Sequence, residues 1–155
     1  MEITDRVRVV EPFANVRVGS SEFVDVWRRA EAALPELVVS GDGREWETNY
    51  TSGVVGTFRW LTGAEQRLSP SPTDWTRMWP PLPVPGVDVE TATPAAVAAI
   101  RAEVGSLIQR SPDGYKSASM PPQPGYLEGV RDVIDWASGQ GAVPSAVAPV
   151  EHRSA

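Results

Sequence analysis

Apolar residues recur every three or four positions in four stretches of the chain, which is the spacing of amphipathic helices. We predict helices over about residues 20–34, 44–62, 94–110 and 126–138. Proline lacks the N–H that a helix interior needs, so we expect Pro35 to end or redirect the first helix. The apolar stripe of that helix is formed by Phe23, Val26, Trp27, Ala30 and Leu34.

Capping residues mark several of these boundaries. Thr93 followed by Pro94 is a matched start signal for the third helix, because threonine caps orphan N–H groups and proline is favoured at the first helical position. Gly63 and Gly139 stand where the second and fourth helices should stop.

Alternating residues near the N-terminus predict a small β element. Apolar and basic residues alternate over 6–9 and again over 16–18, a period of two that suits two short strands. Leu37, Val38 and Val39 predict a third short strand after Pro35.

A proline-rich segment separates the second and third helices. Seven prolines lie between Pro70 and Pro94, and the run from Pro80 to Pro85 excludes a continuous helix or a central strand. The predicted fold is therefore mainly α, with four principal helices, a candidate small N-terminal β element and a proline-rich crossover loop. We expect residues 1–139 to form one globular helical domain and residues 140–155 to form a mobile tail.

The second and fourth predicted helices share the pattern Y-x-x-G-V-x(5)-W-x-x-G. On a helical wheel both copies present a similar, largely apolar face with a glycine beside a tryptophan. A glycine inside a helix costs about 1 kcal/mol relative to alanine, so its presence in both copies indicates a close backbone approach there. The candidate helix-packing residues are Tyr50, Gly53, Trp60, Tyr126, Gly129 and Trp136.

Two interpretations of this pattern follow. The two helices cross each other near Gly53 and Gly129 within one core, or the shared face is a docking surface for a partner helix. The pattern also resembles a helix of small uncharacterised actinomycete and actinophage proteins, over these two segments alone. That resemblance implies an actinobacterial or phage origin and no particular activity.

Charge and composition narrow the classes of partner. The net charge of −6 disfavours nonspecific binding of nucleic acid and of anionic membranes, both of which need a basic surface. The chain has no cysteine, no signal-peptide pattern at its start and no apolar run near the ~20 residues of a membrane helix. We therefore expect a cytoplasmic protein that binds neither nucleic acid nor membrane.

The sequence contains few residues suited to catalysis or metal binding. His152 is the only histidine and lies in the predicted tail, so the usual ligands of zinc, haem and iron–sulfur sites are missing. Glu128, Asp132 and Asp135 lie on one predicted helix, but on its polar face, where solvated carboxylates are expected. We predict no cofactor and no catalytic or metal-binding residue.

The remaining candidate site is a partner-binding segment beside the prolines. Tryptophan, methionine and arginine are enriched at protein interfaces, and four such residues cluster here: Trp75, Arg77, Met78 and Trp79. The function hypothesis is a non-enzymatic binding or structural protein that acts through a protein partner or as a homo-oligomer. The alternatives are a small acidic antitoxin, immunity or inhibitor protein, and a hydrolase that uses carboxylates.

Overall fold

Four helices make up most of the part of the chain that the structure describes. The computed structural model describes residues 17–40, 44–62, 80–90, 92–111, 115 and 123–144. Within these residues the helices are α1 (Ser20–Ser40), α2 (Glu45–Thr62), α3 (Pro94–Arg110) and α4 (Tyr126–Ala137). The prediction of a mainly α fold with four helices is confirmed for this part of the chain. The candidate β element lies outside it, apart from its last residues, Arg17 and Val18.

The predicted caps of α3 and α4 form as expected. Thr93 precedes Pro94 in extended backbone, and its hydroxyl accepts a hydrogen bond from the Ala96 N–H at 3.1 Å. At the end of α4, Gly139 adopts a φ of +80°, which favours glycine. The Gly139 N–H donates to Trp136 O and the Gln140 N–H donates to Asp135 O, the paired bonds of a Schellman motif.

The predicted end of α1 at Pro35 was wrong. The helix continues through Pro35 to Ser40, so the strand predicted over Leu37–Val39 is also wrong. Because Pro35 has no N–H, it cannot donate the helical hydrogen bond to the carbonyl of Glu31, four residues earlier. Leu37, which continues the apolar stripe beyond the proline, is buried. We attribute the longer helix to this burial, since tertiary packing routinely overrides local propensity.

The central contact of the fold joins α2 to α4 at two glycines. A Cβ placed on Gly53 would overlap the carbonyl oxygen of Tyr126 and lie 3.3 Å from the Val130 nitrogen. A Cβ placed on Gly129 would overlap the carbonyl oxygen of Tyr50 and lie 3.1 Å from the Val54 nitrogen. These contacts are reciprocal, because Tyr50 and Val54 hold the motif positions that Tyr126 and Val130 hold in the other copy.

The same register runs along both helices. Trp46 near the start of α2 lies against Gly125 just before α4, and Phe58 near the end of α2 contacts the Trp136 ring. The two helices therefore run parallel, as two copies of one motif related by an approximate twofold axis. Helix α1 packs on α2 and helix α3 packs on α4, so that the order across the fold is α1, α2, α4, α3.

The flanking helices extend this internal repeat. With Trp27 aligned on Val97, α1 and α3 share the positions of most of their buried and exposed residues. An ion pair between the two helices also joins each helical hairpin, at matched positions. Glu31 of α1 pairs with Arg59 of α2 at 2.8 Å, and Arg101 of α3 pairs with Asp135 of α4 at 2.9 Å. The polarity of the pair is reversed between the two hairpins, α1–α2 and α3–α4.

The larger aromatic residues of the core lie on the first hairpin's side. The Phe23 and Phe58 rings meet edge to face at a centroid distance of 5.0 Å, and the Trp27 ring stacks on Phe58 at 6.2 Å. Trp136 of α4 completes the cluster against Phe23 and Phe58. Such rings bury about 150–250 Å² each, so this cluster dominates the apolar burial of the first hairpin.

The close approach of α2 and α4 predicts opposite effects for two substitutions in one helix. Gly53→Ala should destabilise by about 1–3 kcal/mol, because the new methyl group would meet the Tyr126 backbone. Gly56→Ala should be neutral or stabilise by up to about 1 kcal/mol, because a Cβ there meets nothing within 4 Å and alanine favours the helix. Urea unfolding of both variants measures the difference. Equal stabilities would contradict the close approach.

Candidate functional site

The predicted partner-binding residues Trp75, Arg77, Met78 and Trp79 lie outside the described residues. The prediction that they form a partner-binding segment stays a prediction. The part of the crossover that the structure describes begins at Pro80.

The six candidate helix-packing residues lie at the α2–α4 interface or beside it. Tyr50, Gly53 and Trp60 of the first copy are buried, as are Gly129 and Trp136 of the second, and Tyr126 is partly buried. Each copy covers the other around the two glycines, so this face is occupied within the chain. It is not a free surface on which a partner helix could dock.

Two of these motif side chains hold the crossover against the helices. The Tyr126 hydroxyl donates to the carbonyl of Pro81, and the Trp60 indole N–H donates to the carbonyl of Val89 at 2.8 Å. Buried carbonyls need such donors, because an unpaired backbone group inside a protein is costly. The polar ends of the motif residues therefore position residues 80–90 beside α2 and α4.

The carboxylates of α4 are held by neighbouring side chains. Asp132 accepts the Tyr50 hydroxyl at 2.5 Å and the Arg131 Nε at 3.1 Å. Asp135 pairs with Arg101 across the second hairpin. A general acid–base pair needs two carboxyl groups that converge on one substrate, and these two are instead each directed to a cation or a phenol. In the described part of the chain no three His, Cys, Asp or Glu side chains could together hold a metal ion.

A groove of about 610 Å³ runs between α3 and the end of α4. That volume is in the range of roughly 300–1,000 Å³ typical of ligand sites. The α3 side presents small residues at helical spacing, and Ile134 of α4 lies across from them. The described lining consists of Pro94, Val97, Ala98, Arg101, Ala102, Gly105, Ser106, Gln109, Ile134, Ser138 and Gln140.

Arg101 is the charged residue of this described lining. Its Nε lies 2.9 Å from Oδ1 of Asp135, and its guanidinium also donates to Oε1 of Gln140. Oδ1 of Asp135 is buried, and the N–H of Arg101 does not point at it in hydrogen-bond geometry. Arg110, at the end of α3, donates from Nε to the Ser106 hydroxyl at 3.1 Å. The described lining of the groove therefore carries one cationic side chain, Arg101, on a protein whose net charge is negative.

Matched positions in the first hairpin carry larger side chains. Where the groove has Val97 and Ile134, the first hairpin has Trp27 and Phe58, whose rings stack and are fully buried. Where the groove has Ala98, the first hairpin has Arg28. Val97 and Ile134 are themselves buried, so the groove opens beside these positions, over the exposed small residues of α3.

The sequence contained a signal for this groove that the apolar stripe obscured. Ala98, Ala102, Gly105 and Ser106 recur at helical spacing on the side of α3 next to the apolar positions, and all four are exposed. Small residues on a solvated helix face are unremarkable alone. They line a groove here because a second helix stands beside them.

Comparison with protein-family models, with curated proteins and with solved structures finds no match for this chain. None of the described helices has the length and hydropathy needed to span a membrane. Functional inference therefore depends on the groove and its surroundings.

The Tyr126 contact predicts a loss of stability at alkaline pH. Burial raises the pKa of Tyr126 above its usual value of 10.0, with a further increase from Tyr115. The folded state then holds this proton more tightly than the unfolded state, so its contribution to stability falls as pH rises above about 10. We expect the free energy of unfolding to fall between about pH 9 and pH 11, and to fall less in Tyr126→Phe.

Urea unfolding across this pH range makes the measurement. At neutral pH, Tyr126→Phe should be less stable by about 1–3 kcal/mol, because the Pro81 carbonyl loses its donor. Parallel pH profiles for the wild type and Tyr126→Phe would show that Tyr126 does not control the alkaline transition.

Proposed function

We propose that the protein is a non-enzymatic binding protein that holds a segment of a protein partner in the groove between α3 and α4. The observation that carries this proposal is the asymmetry between the hairpins. One hairpin buries Trp27 and Phe58 between its helices, whereas the other has the smaller Val97 and Ile134 there, beside a groove of about 610 Å³.

The groove has the mixed lining of a protein interface. Its floor is apolar and small, which allows close approach of another backbone, and its rim carries Arg101, Gln109 and Gln140. Interfaces commonly have an apolar centre surrounded by a polar rim that includes arginine. Self-association through the same groove is the alternative occupant, and it is distinguished by the oligomeric state.

The lining also favours one kind of partner over another. An acidic inhibitor that neutralises a basic partner would need carboxylates at its contact surface, and the described lining contains none. The setting we propose is the cytoplasm, in an actinobacterial cell or one infected by its phage. This setting rests on the cysteine-free composition and on the motif resemblance.

Blocking the groove should abolish partner binding without unfolding the protein. Peptides selected from a random displayed library on the wild-type protein should bind the groove. Ala102→Trp should weaken their binding by about tenfold or more, because the indole would occupy the space of an anchoring side chain. Ala102 is exposed, so the fold should tolerate the change.

The chain supplies a matched control in Ala32, which is exposed at the corresponding position of α1. Ala32→Trp adds the same indole to the filled hairpin and should leave peptide binding unchanged. Calorimetric titration gives both affinities. Selection that yields no binding peptide, or peptides that bind Ala102→Trp as tightly as Ala32→Trp, would contradict a binding role for the groove.

A further inference from the structure

We propose that the groove between α3 and α4 takes an aromatic side chain of the partner, flanked in the partner's sequence by a carboxylate. This inference rests on the proposed function and names the chemistry of the segment that the groove would hold. It follows from the internal repeat, because the first hairpin shows what a filled space of this kind contains.

The first hairpin fixes its own indole in two ways. The Trp27 ring stacks on Phe58 with planes 12° apart, and its Nε1 donates to Oε2 of Glu31 at 3.0 Å. Glu31 also accepts hydrogen bonds from both Nε and Nη2 of Arg59, at 2.9 and 2.8 Å. An aromatic ring therefore lies between the two helices, beside an interhelical ion pair that provides a hydrogen-bond acceptor.

The second hairpin retains the ion pair and lacks the ring. Arg101 and Asp135 take the places of Glu31 and Arg59, while Val97 stands at the position of Trp27. Val97 and Ile134 both line the groove, so the space that opens there adjoins the position of the missing ring. Gln140 is exposed at the rim, and its amide oxygen, which already accepts a hydrogen bond from the Arg101 guanidinium, has a second lone pair for an incoming indole N–H.

The positive charge of Arg101 indicates which residue should lie next to the aromatic residue in the partner's sequence. The guanidinium of Arg101 lines the groove with its side chain 38% exposed, and Arg110 is held at the far end by Ser106. An arginine beside an aromatic pocket favours a carboxylate next to the bound ring, since guanidinium and carboxylate form strong charge-assisted hydrogen bonds. The occupant we infer is therefore an aromatic residue with an adjacent acidic residue.

A second copy of this chain is a less suitable occupant. The small residues of α3 run from Ala98 to Ser106, so two such helices would share about two and a half turns. A stable interface buries about 800 Å² on each partner, which is more than one short helix contact supplies. Self-association would therefore need a further surface in addition to this groove.

The test uses small probes and the full ¹⁵N-labelled chain. N-acetyltryptophan, which carries both an indole and a carboxylate, should shift the amide signals of Ala98, Ala102 and Gly105 in a saturable way. N-acetyltryptophanamide should bind several-fold more weakly because it lacks the carboxylate, and N-acetylleucine should bind more weakly still. The reverse order, or shifts confined to residues outside α3 and α4, would overturn the inference.

Variants separate groove binding from binding elsewhere. Ala98→Glu places a carboxylate in the groove, which repels the carboxylate of the probe and competes for Arg101, and it should weaken N-acetyltryptophan binding by about tenfold or more. Ala32→Trp should leave binding unchanged. Ala102→Trp is a second, independent block of the groove, so a folding defect in one variant leaves the other as the test. Unchanged affinity in every correctly folded groove variant would overturn the proposal.

The aromatic inference can fail while the proposed binding function holds, and the experiments distinguish the two cases. Selected peptides that bind the groove through aliphatic anchors would uphold a binding role and overturn the aromatic inference. Sedimentation that shows a dimer of the wild-type chain, converted to a monomer by Ala98→Glu, would identify a second copy as the occupant and also overturn it. Aromatic residues next to Asp or Glu in the selected peptides, together with saturable N-acetyltryptophan shifts, would support it.

Discussion

The backbone contact between α2 and α4 determines where everything else in this protein lies. Gly53 and Gly129 bring the two helices so close that neither position has room for a Cβ. At that separation the flanking motif residues must interlock, which sets a parallel register and directs Tyr126 and Trp60 toward the crossover. The outer helices, α1 and α3, then pack on opposite sides of this central pair.

Because the central contact is reciprocal, positions in one hairpin correspond to positions in the other. The side chains at these matched positions can therefore be compared. Glu31–Arg59 and Arg101–Asp135 tie the helices of each hairpin at matched positions. The first hairpin places Trp27 between its helices, and the second places Val97 there. Val97 is buried as Trp27 is, and the groove opens beside it, over the exposed small residues of α3.

The sequence predicted the four helices well because their determinants are local. Thr93 and Pro94 mark the start of α3, and Gly139 marks the end of α4, through caps that depend on a few neighbouring residues. The shared motif also indicated Gly53 and Gly129 as close-contact positions. The predicted helix end at Pro35 was wrong because the burial of Leu37 offsets the local cost of the proline. The sequence pattern alone does not reveal that burial. The groove was missed for a related reason: it requires α3 and α4 together, and neither helix shows it alone.

The two ion pairs have opposite polarity, and this difference distinguishes the two otherwise similar hairpins. Helices α2 and α4 present similar faces, so α1 could compete with α3 for the place beside α4. In that arrangement Glu31 would meet Asp135, and Arg101 would meet Arg59, two like-charge contacts in partly buried positions. Only the observed pairing of α1 with α2 and α3 with α4 brings opposite charges together. Like charges suppress incorrect partners more effectively than opposite charges stabilise correct ones. The charge reversal therefore adds to the short connection between Ser40 and Glu45 in favouring α1 beside α2.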